Sequence, residues 1–484
     1  MRAAALLAIA GCGRLGFAAA TDGGEPSAVE ILPGATTLLP LTTMHLDATV
    51  PVTWSIDEAG ADAITATGDF SAGMTTGVVH VRATAGADSA AVAIAITDAP
   101  IRVVMADTGS VTSATGMAHQ ERLLYAPELG AWWLFTISSV VPDSLITRTS
   151  RDFVTWSDGP TLALGHTHGQ DGRNITLADR VIGGTHVVHL SVGYVDAVRG
   201  RLHVKATLDA TGLVFGAPVA TNSGGTTDPD GPAVAITGQG SVIDGSGWDQ
   251  TPATPPLSPC GDGDVEVFTS ATVDTGATSF DAMAFARRVL WCVPNRVDAR
   301  YLYADGETLY HLYEDGNSEP DAVNILYSIR RPDSAWLPDE SAVKTTPPSV
   351  FATDTAFPID DWTVRPVGRT LHAIRRVGTA YEHRQLALGS DGPWTAGAAI
   401  PDSAAAGGSG VYAAAYGTGM ILVEITSSNG LAYTFWDGTA WTAWRPLAVP
   451  STMLTALAGS TPRDGERPAI MWQEPGEIAG AWLP

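Results

Sequence analysis

Five stretches of this chain carry side chains able to do chemistry, and each stands just before or at the start of a strongly apolar run. They are His119 and Glu121; His166, His168, Asp171 and Arg173; Asp228 and Asp230; Asn295, Arg296 and Asp298; and Asp360, Asp361, Trp362 and Arg365. Carboxylates, arginines and a tryptophan together suit a sugar. The indole offers a flat apolar face with a polar edge, and the charged groups bind hydroxyls. Two carboxylates about 5–9.5 Å apart would also suffice to hydrolyse a glycosidic bond. His166 and His168 with Asp171 offer metal ligands, but a zinc site needs a further partner fixed in space. Asp228-Pro229-Asp230-Gly231, and Asp262 with Asp264, present hard oxygens to calcium without completing a loop motif. No cofactor is therefore expected. The same residues have a second reading, because Asp, Asn, Gly and Pro are also what tight turns require for backbone reasons.

Other chemistries lack their signatures. The chain has no HExxH, CxxC, GxSxG or P-loop pattern, which argues against metalloproteases, zinc knuckles, α/β-hydrolases and nucleotide enzymes. A GxGxxG at Gly11, Gly13 and Gly16 has no strand before it and no βαβ unit after it. With 27 Lys and Arg against 51 Asp and Glu, the net charge of −24 disfavours a nucleic-acid partner, whose phosphates need neutralising bases.

The elements that must position these residues are strands. Of the 484 residues 45% are hydrophobic, ample for a core, with 52 Gly and 31 Pro to punctuate it. From residue 101 onward an irregular repeat runs to the end. Its first marker is an apolar strand: Ala131–Phe135, His186–Leu190, Asp264–Phe268, Thr308–Leu312, Thr370–Ile374, Met420–Glu424 and Pro468–Trp472. Its second is an aromatic after a turn, at Trp156, Phe215, Phe280, Trp336, Trp394, Trp444 and Trp482, spaced 38 to 65 residues apart. Seven runs of short strands, none able to bury its faces alone, predict an all-β chain whose residues 101–484 form a β-propeller of seven blades. Six blades with an accessory hairpin is the alternative. The last unit is short, so Ile101–Asp107 is expected to complete it and close the ring. The polar stretches above would then enter the innermost strands and converge on the axis. His189, Trp133 and Met471 read as packing residues of the core.

Ser150-Arg151-Asp152-Phe153-Val154-Thr155-Trp156 resembles the S-x-D-x-x-x-W turn of five-bladed glycoside hydrolases and the Asp-box of sialidases. That resemblance implies a structural turn on the blade exterior, its Asp capping backbone amides. Arg365-Pro366 is similar to the arginine-bearing strand of sialidases. A sialidase site also needs two further arginines and a Tyr–Glu pair, which the sequence does not assemble.

Residues 29–99 differ, with short β runs at 8–12-residue spacing and alternation over Val78–Ala83, the pattern of a β-sandwich. Val52-Thr53-Trp54-Ser55, Gly68-Asp69-Phe70-Ser71-Ala72-Gly73 and the following strands resemble bacterial immunoglobulin-like group 2 domains. The resemblance implies a spacer with Trp54 as a core plug. Upstream, Ala3–Ala10 is too short to span a bilayer but fits the apolar region of an export signal. Ile9-Ala10-Gly11-Cys12 resembles the bacterial lipobox, which implies a signal peptide over 1–11, a lipid on Cys12 and a tether over 12–28. An ordinary signal peptide is the other reading. In an exported chain Cys260 and Cys292 are expected to form a disulfide, against two buried thiols. These features predict a lipid-anchored envelope protein, at the outer membrane or cell surface. Its propeller would bind a glycan or a surface protein. A propeller glycoside hydrolase using funnel carboxylates and a structural envelope component are the alternatives.

Overall fold

The computed structural model describes residues 29–34, 36–100, 102–107, 120–137, 143–166, 175–195, 199–220, 232–240, 242–248, 264–271, 292–293, 300–318, 321–331, 336–337, 349–351, 357–358, 361–404, 406–447, 455–460 and 468–483. They are all β, with no helix among them.

Two sheets share a core in the N-terminal unit. One orders its strands Thr36–Leu38, Asp88–Ile96, Gly77–Ala85 and Thr53–Ile56, and the other Thr43–His45, Asp69–Ser71 and Ala63–Ile64. The alternation seen in the sequence sets the faces: Val79, Val81 and Ala83 are buried while Val78 and His80 are exposed. Trp54 is half-buried and lies over Gly68, where a Cβ would come within 3.3 Å of the indole and 2.2 Å of the Leu46 carbonyl oxygen.

The rest of the chain is a β-propeller. Seven antiparallel sheets follow one another among the described residues, and their innermost strands are Leu123–Ala126, Ile175–Ile182, Ala233–Ile236, Arg300–Asp305, Trp362–Val367, Ala406–Tyr416 and Thr455–Gly459. Contacts at the inner edge join neighbouring sheets at five of the seven steps. Leu177 N donates to Glu121 O (2.9 Å), Gly238 N to Gly306 O (2.7 Å), Ala413 N to Thr363 Oγ1 (3.4 Å) and Tyr412 Oη to Ser460 O (2.5 Å). Glu121 pairs with Gly459, which joins the seventh sheet to the first. In six sheets the turn from the inner to the second strand carries a left-handed glycine, at Gly130, Gly183, Gly240, Gly306, Gly368 and Gly417 (φ between 55° and 89°). Glycine reaches that backbone region without the steric cost other residues meet.

The seventh sheet has only three strands from its own end of the chain. Arg102–Asp107 supplies the outer fourth, antiparallel to Glu477–Trp482, as the sequence predicts. The Arg102 guanidinium reaches over to Glu474, with Nε to Oε1 at 2.9 Å and Nη2 to Oε2 at 2.7 Å. The aromatics of the second marker were expected to open the outer strands; Trp156, Trp336, Trp394 and Trp444 do open or immediately precede them, whereas Phe215 ends its outer strand, Gly212–Phe215, and Phe280 lies outside the described residues. Trp482 instead ends the third strand of its sheet, because the outer one comes from the other end of the propeller.

The N-terminal unit is docked on this ring. One apolar cluster runs from Leu39, Leu46 and Phe70 into Tyr416, Tyr433 and Phe435 of the sixth sheet. Tyr416 Oη accepts from Leu39 N (3.3 Å), and Tyr433 Oη donates to Pro40 O (3.1 Å). Gly417 sits so close that a Cβ there would lie 1.7 Å from the Thr43 carbonyl oxygen.

Candidate functional site

In chain order the polar stretches singled out from the sequence stand before the innermost strands. Trp362 and Arg365 are the exceptions. Both belong to the inner strand Trp362–Val367 itself, not to the loop before it.

Arg365 and Glu121 meet across the axis. They come from the fifth and first sheets, and Arg365 Nη2 lies 3.2 Å from Glu121 Oε1. The arginine side chain is 0% exposed and the glutamate 19%. Arg365 Nε donates to Ala413 O and Nη1 to Val364 O, each at 2.9 Å. Its guanidinium carbon stands 4.8 Å from the Tyr412 ring centroid and 6.0 Å from that of Tyr301, within cation–π range. Burial opposes the cation, but the Glu121 carboxylate and the two tyrosines outweigh it and hold the Arg365 pKa above its ordinary value. Burial likewise pushes both tyrosine hydroxyls far up, so they stay neutral donors, with the arginine cation pulling the other way.

Beside this pair the axis opens into a cavity of about 300 Å³. Glu121, Tyr125, Thr176, Asp179, Tyr301 and Tyr303 give it polar and aromatic walls, and Leu123, Ala233, Val234 and Pro366 are among the apolar residues that line the rest. Tyr301 and Tyr303 alternate on one strand, so their side chains share a face, and their rings lie nearly parallel (12°) with centroids 6.3 Å apart. Thr176 Oγ1 accepts from Glu121 N at 3.1 Å, which fixes the backbone that carries the glutamate. Asp179 Oδ2 is 2.9 Å from His186 Nδ1, whose Nε2 lies 2.8 Å from Glu128 Oε2.

The other residues singled out have other places. Asp361 is buried between the fifth and sixth sheets, where Oδ1 accepts from Arg376 Nη2 (2.5 Å) and from Gly410 N (3.3 Å). Burial raises its pKa and Arg376 works against that rise. Arg376 continues to Glu424 (3.8 Å), which is hydrogen-bonded to Tyr381 and Ser403. Trp362 is wholly buried in the cluster with Tyr327, Phe351 and Leu371, leaving no ring face for a sugar. His166 stacks on Tyr194 (4.0 Å between centroids, 18°) in the second sheet. His168, Asp171, Arg173, Asp228, Asp230 and Asp360 lie outside the described residues, as do His119, Asn295, Arg296, Asp298, Asp262, Cys12 and Cys260. Cys292 begins the outer strand of the third sheet and Asp264 its third strand.

Sequence reasoning missed Tyr301, Tyr303 and Tyr412. Tyrosines alternating on an apolar strand look the same whether they face a core or a channel. His189, Trp133 and Met471 are buried in the core as expected.

No family model matches the chain, and no curated protein does. Solved structures similar to it include the polysaccharide lyase Uly1, at 11% identity over 80% of this chain and 98% of that one (TM-score 0.43). An Aleuria aurantia lectin mutant in complex with α-methyl-L-fucoside is similar at 9% identity, covering 67% and 93% (TM-score 0.36). A Trypanosoma rangeli sialidase in complex with the inhibitor DANA is similar at 8% identity, covering 63% and 54% (TM-score 0.36).

Proposed function

We propose that this chain is an exported envelope protein, lipid-anchored at Cys12 after loss of residues 1–11. In this reading an immunoglobulin-like unit over 29–99 carries a seven-bladed propeller over 101–484 that binds a glycan on the axis. The axial cavity is the observation that carries the reading. It pairs tyrosine rings with fixed polar groups, the combination sugar recognition needs, and its size is at the lower end of the about 300–1,000 Å³ of ligand pockets. Tyr303 and Tyr125 supply ring surface, while Glu121 and Thr176 accept hydroxyl protons.

Binding is favoured over hydrolysis. A glycosidase needs one carboxyl able to give a proton to the leaving oxygen and a second to act on the other face. Both carboxylates that line the cavity are already engaged, Glu121 by Arg365 and Asp179 by His186.

The test is a glycan array probed with the detergent-solubilised full chain and with Tyr303→Ala. Capture of at least one glycan by the native protein, lost in the variant at unchanged melting temperature, supports the reading. An empty array, or capture that Tyr303→Ala leaves intact, refutes it. The anchor is tested separately: Cys12→Ala should move the protein from the membrane fraction to the soluble one.

A further inference from the structure

One buried histidine connects a carboxylate of the axial cavity to a carboxylate on the outside of the ring. His186, on the second strand of the second sheet, is 0% exposed. Its Nδ1 lies 2.9 Å from Asp179 Oδ2 and its Nε2 2.8 Å from Glu128 Oε2. Asp179 belongs to the inner strand of the same sheet, lines the cavity and is 16% exposed. In the register of that sheet His186 stands opposite Val181 and Asp179 opposite Val188, so alternation puts His186 and Asp179 on one face and Arg180 on the other. Glu128 comes from the first sheet, is 41% exposed and lines a groove between the two sheets. Its turn is fixed by Leu129 N donating to Ala126 O and Gly130 N to Pro127 O, each at 3.1 Å.

The protons can be counted from this geometry. An ionised carboxylate only accepts, so a ring held between two of them needs an N–H on both nitrogens, and only imidazolium has both. A neutral ring would aim a lone pair at one carboxylate. Moving that proton to a carboxyl is the poorer arrangement, because imidazole is ordinarily the stronger base, with a pKa of about 6.5 against about 4. The surroundings agree. Leu208, the partner of His186 on the third strand, carries no charge. Among the described residues that line the groove with Glu128, the other charged ones are Asp152 and Asp209, each bonded into its own turn, and the exposed Arg151. Two carboxylates in contact with the ring favour its charged form.

We infer that His186 is a positioning residue for the axial site: as a buried imidazolium it holds the Asp179 carboxylate in place to accept a sugar hydroxyl, and so makes binding on the axis respond to pH. This rests on the glycan reading of the cavity, to which it adds Asp179 as an acceptor beside Glu121 and Thr176. Glu121 is built alike, with the wholly buried Arg365 behind it. When the His186 ring loses its second proton, one N–H serves two carboxylates, and Asp179 loses either the bond or the charge that fixes it. Affinity then falls as pH rises through the titration of His186, although this residue does not line the cavity.

The experiment labels the histidines of the full chain with 15N and follows their rings by NMR as pH rises. Beside it, neutral methyl glycosides, both hexosides and pentosides, are titrated by saturation-transfer NMR. His186 is the ring whose titration changes in Glu128→Gln, a variant at an exposed position that removes one flanking charge. In the native protein both nitrogens of this ring should carry hydrogen at pH 7, and Glu128→Gln should move its titration down by about one pH unit or more. Glycoside affinity should fall several-fold as the ring deprotonates, and in Glu128→Gln that fall should move to lower pH together with the ring. No histidine moved by Glu128→Gln, a ring neutral at pH 7, or glycoside affinity indifferent to the titration would each overturn the proposal and leave the axial reading standing. Failure of the native chain to bind any of the glycosides would overturn the axial reading, and this proposal with it.

Discussion

Arg365 of the fifth sheet and Glu121 of the first are paired at 3.2 Å beside the propeller axis, with the arginine wholly removed from solvent. Two charges taken from water together are tolerable, but either one alone is not. Glu121→Ala should therefore destabilise the fold by about 3–5 kcal/mol, because it takes away the carboxylate that faces a buried cation. Arg365→Met with Glu121→Gln should recover part of that loss. Urea unfolding of Glu121→Gln, Arg365→Met and the double variant measures it, and additive effects would show that the pair is not coupled.

Asp361 holds Arg376 in the same way between the fifth and sixth sheets. Asp361→Ala is expected to lower the melting temperature clearly, by an amount equivalent to about 3–5 kcal/mol, since both side chains are buried. Glycan capture by the protein that remains folded should be unaffected, because Asp361 does not line the axial cavity. Calorimetry beside the array would check both halves.

Docking of the N-terminal unit makes it a fixed part of the molecule. Leu39, Phe70, Tyr416 and Tyr433 lie in one apolar cluster, so residues 29–99 and the sixth sheet should melt in a single transition. Gly417→Ala puts a methyl where the Thr43 carbonyl already lies and strains a backbone with φ 55°. It should split the calorimetric trace into two transitions and expose the 29–100 segment to limited proteolysis. One unchanged transition would mean that the units melt together for another reason.

Ring closure rests on hydrogen bonds between strands from opposite ends of the propeller. Arg102 fastens the outer strand of the seventh sheet to Glu474 through two bonds, in a site that is largely buried. Arg102→Ala should cost about 2–4 kcal/mol and raise the hydrogen-exchange rate of residues 102–107 and 477–482 before other strands. Uniform exchange across all seven sheets would contradict this.

Periodicity and turn chemistry made the architecture readable from residues alone. Alternation at Val78–Ala83, glycine hairpins and the orphan run before residue 108 each report a local rule that the fold obeys. The order of the polar stretches along the chain, each before an inner strand, was readable for the same reason. The meeting of Glu121 with Arg365 was not: the propeller brings them together from sheets far apart in the chain, and nothing near either one signals the other. Trp362 and Arg365 were grouped with the two aspartates before the inner strand, yet that strand begins at Trp362 and holds both. The face of Tyr416 and Tyr433 that receives the N-terminal unit is likewise invisible, since apolar strand residues do not announce which neighbour covers them.

His372 and His383 form a buried pair in the fifth sheet, with Nδ1 of one 2.9 Å from Nε2 of the other. His372 also packs against Trp436, with centroids 4.7 Å apart. Burial, and then the charge its partner would carry, push the His372 pKa down to about 3, and burial lowers that of His383. A base whose pKa is depressed on folding binds fewer protons folded than unfolded between about pH 3 and its ordinary value near 6.5. Stability therefore falls as pH drops through that window, by about 1.4 kcal/mol per unit for one fully titrating group. Asp361 and Glu424, whose pKa values are raised by burial, act in the opposite sense and are common to any variant that leaves them in place. The difference between the native chain and His372→Gln isolates the histidine. The variant should be less stable at pH 8 and lose less stability than the native chain on going to pH 4.5. Parallel stability curves across that range would show that the pair is not held neutral in the folded protein.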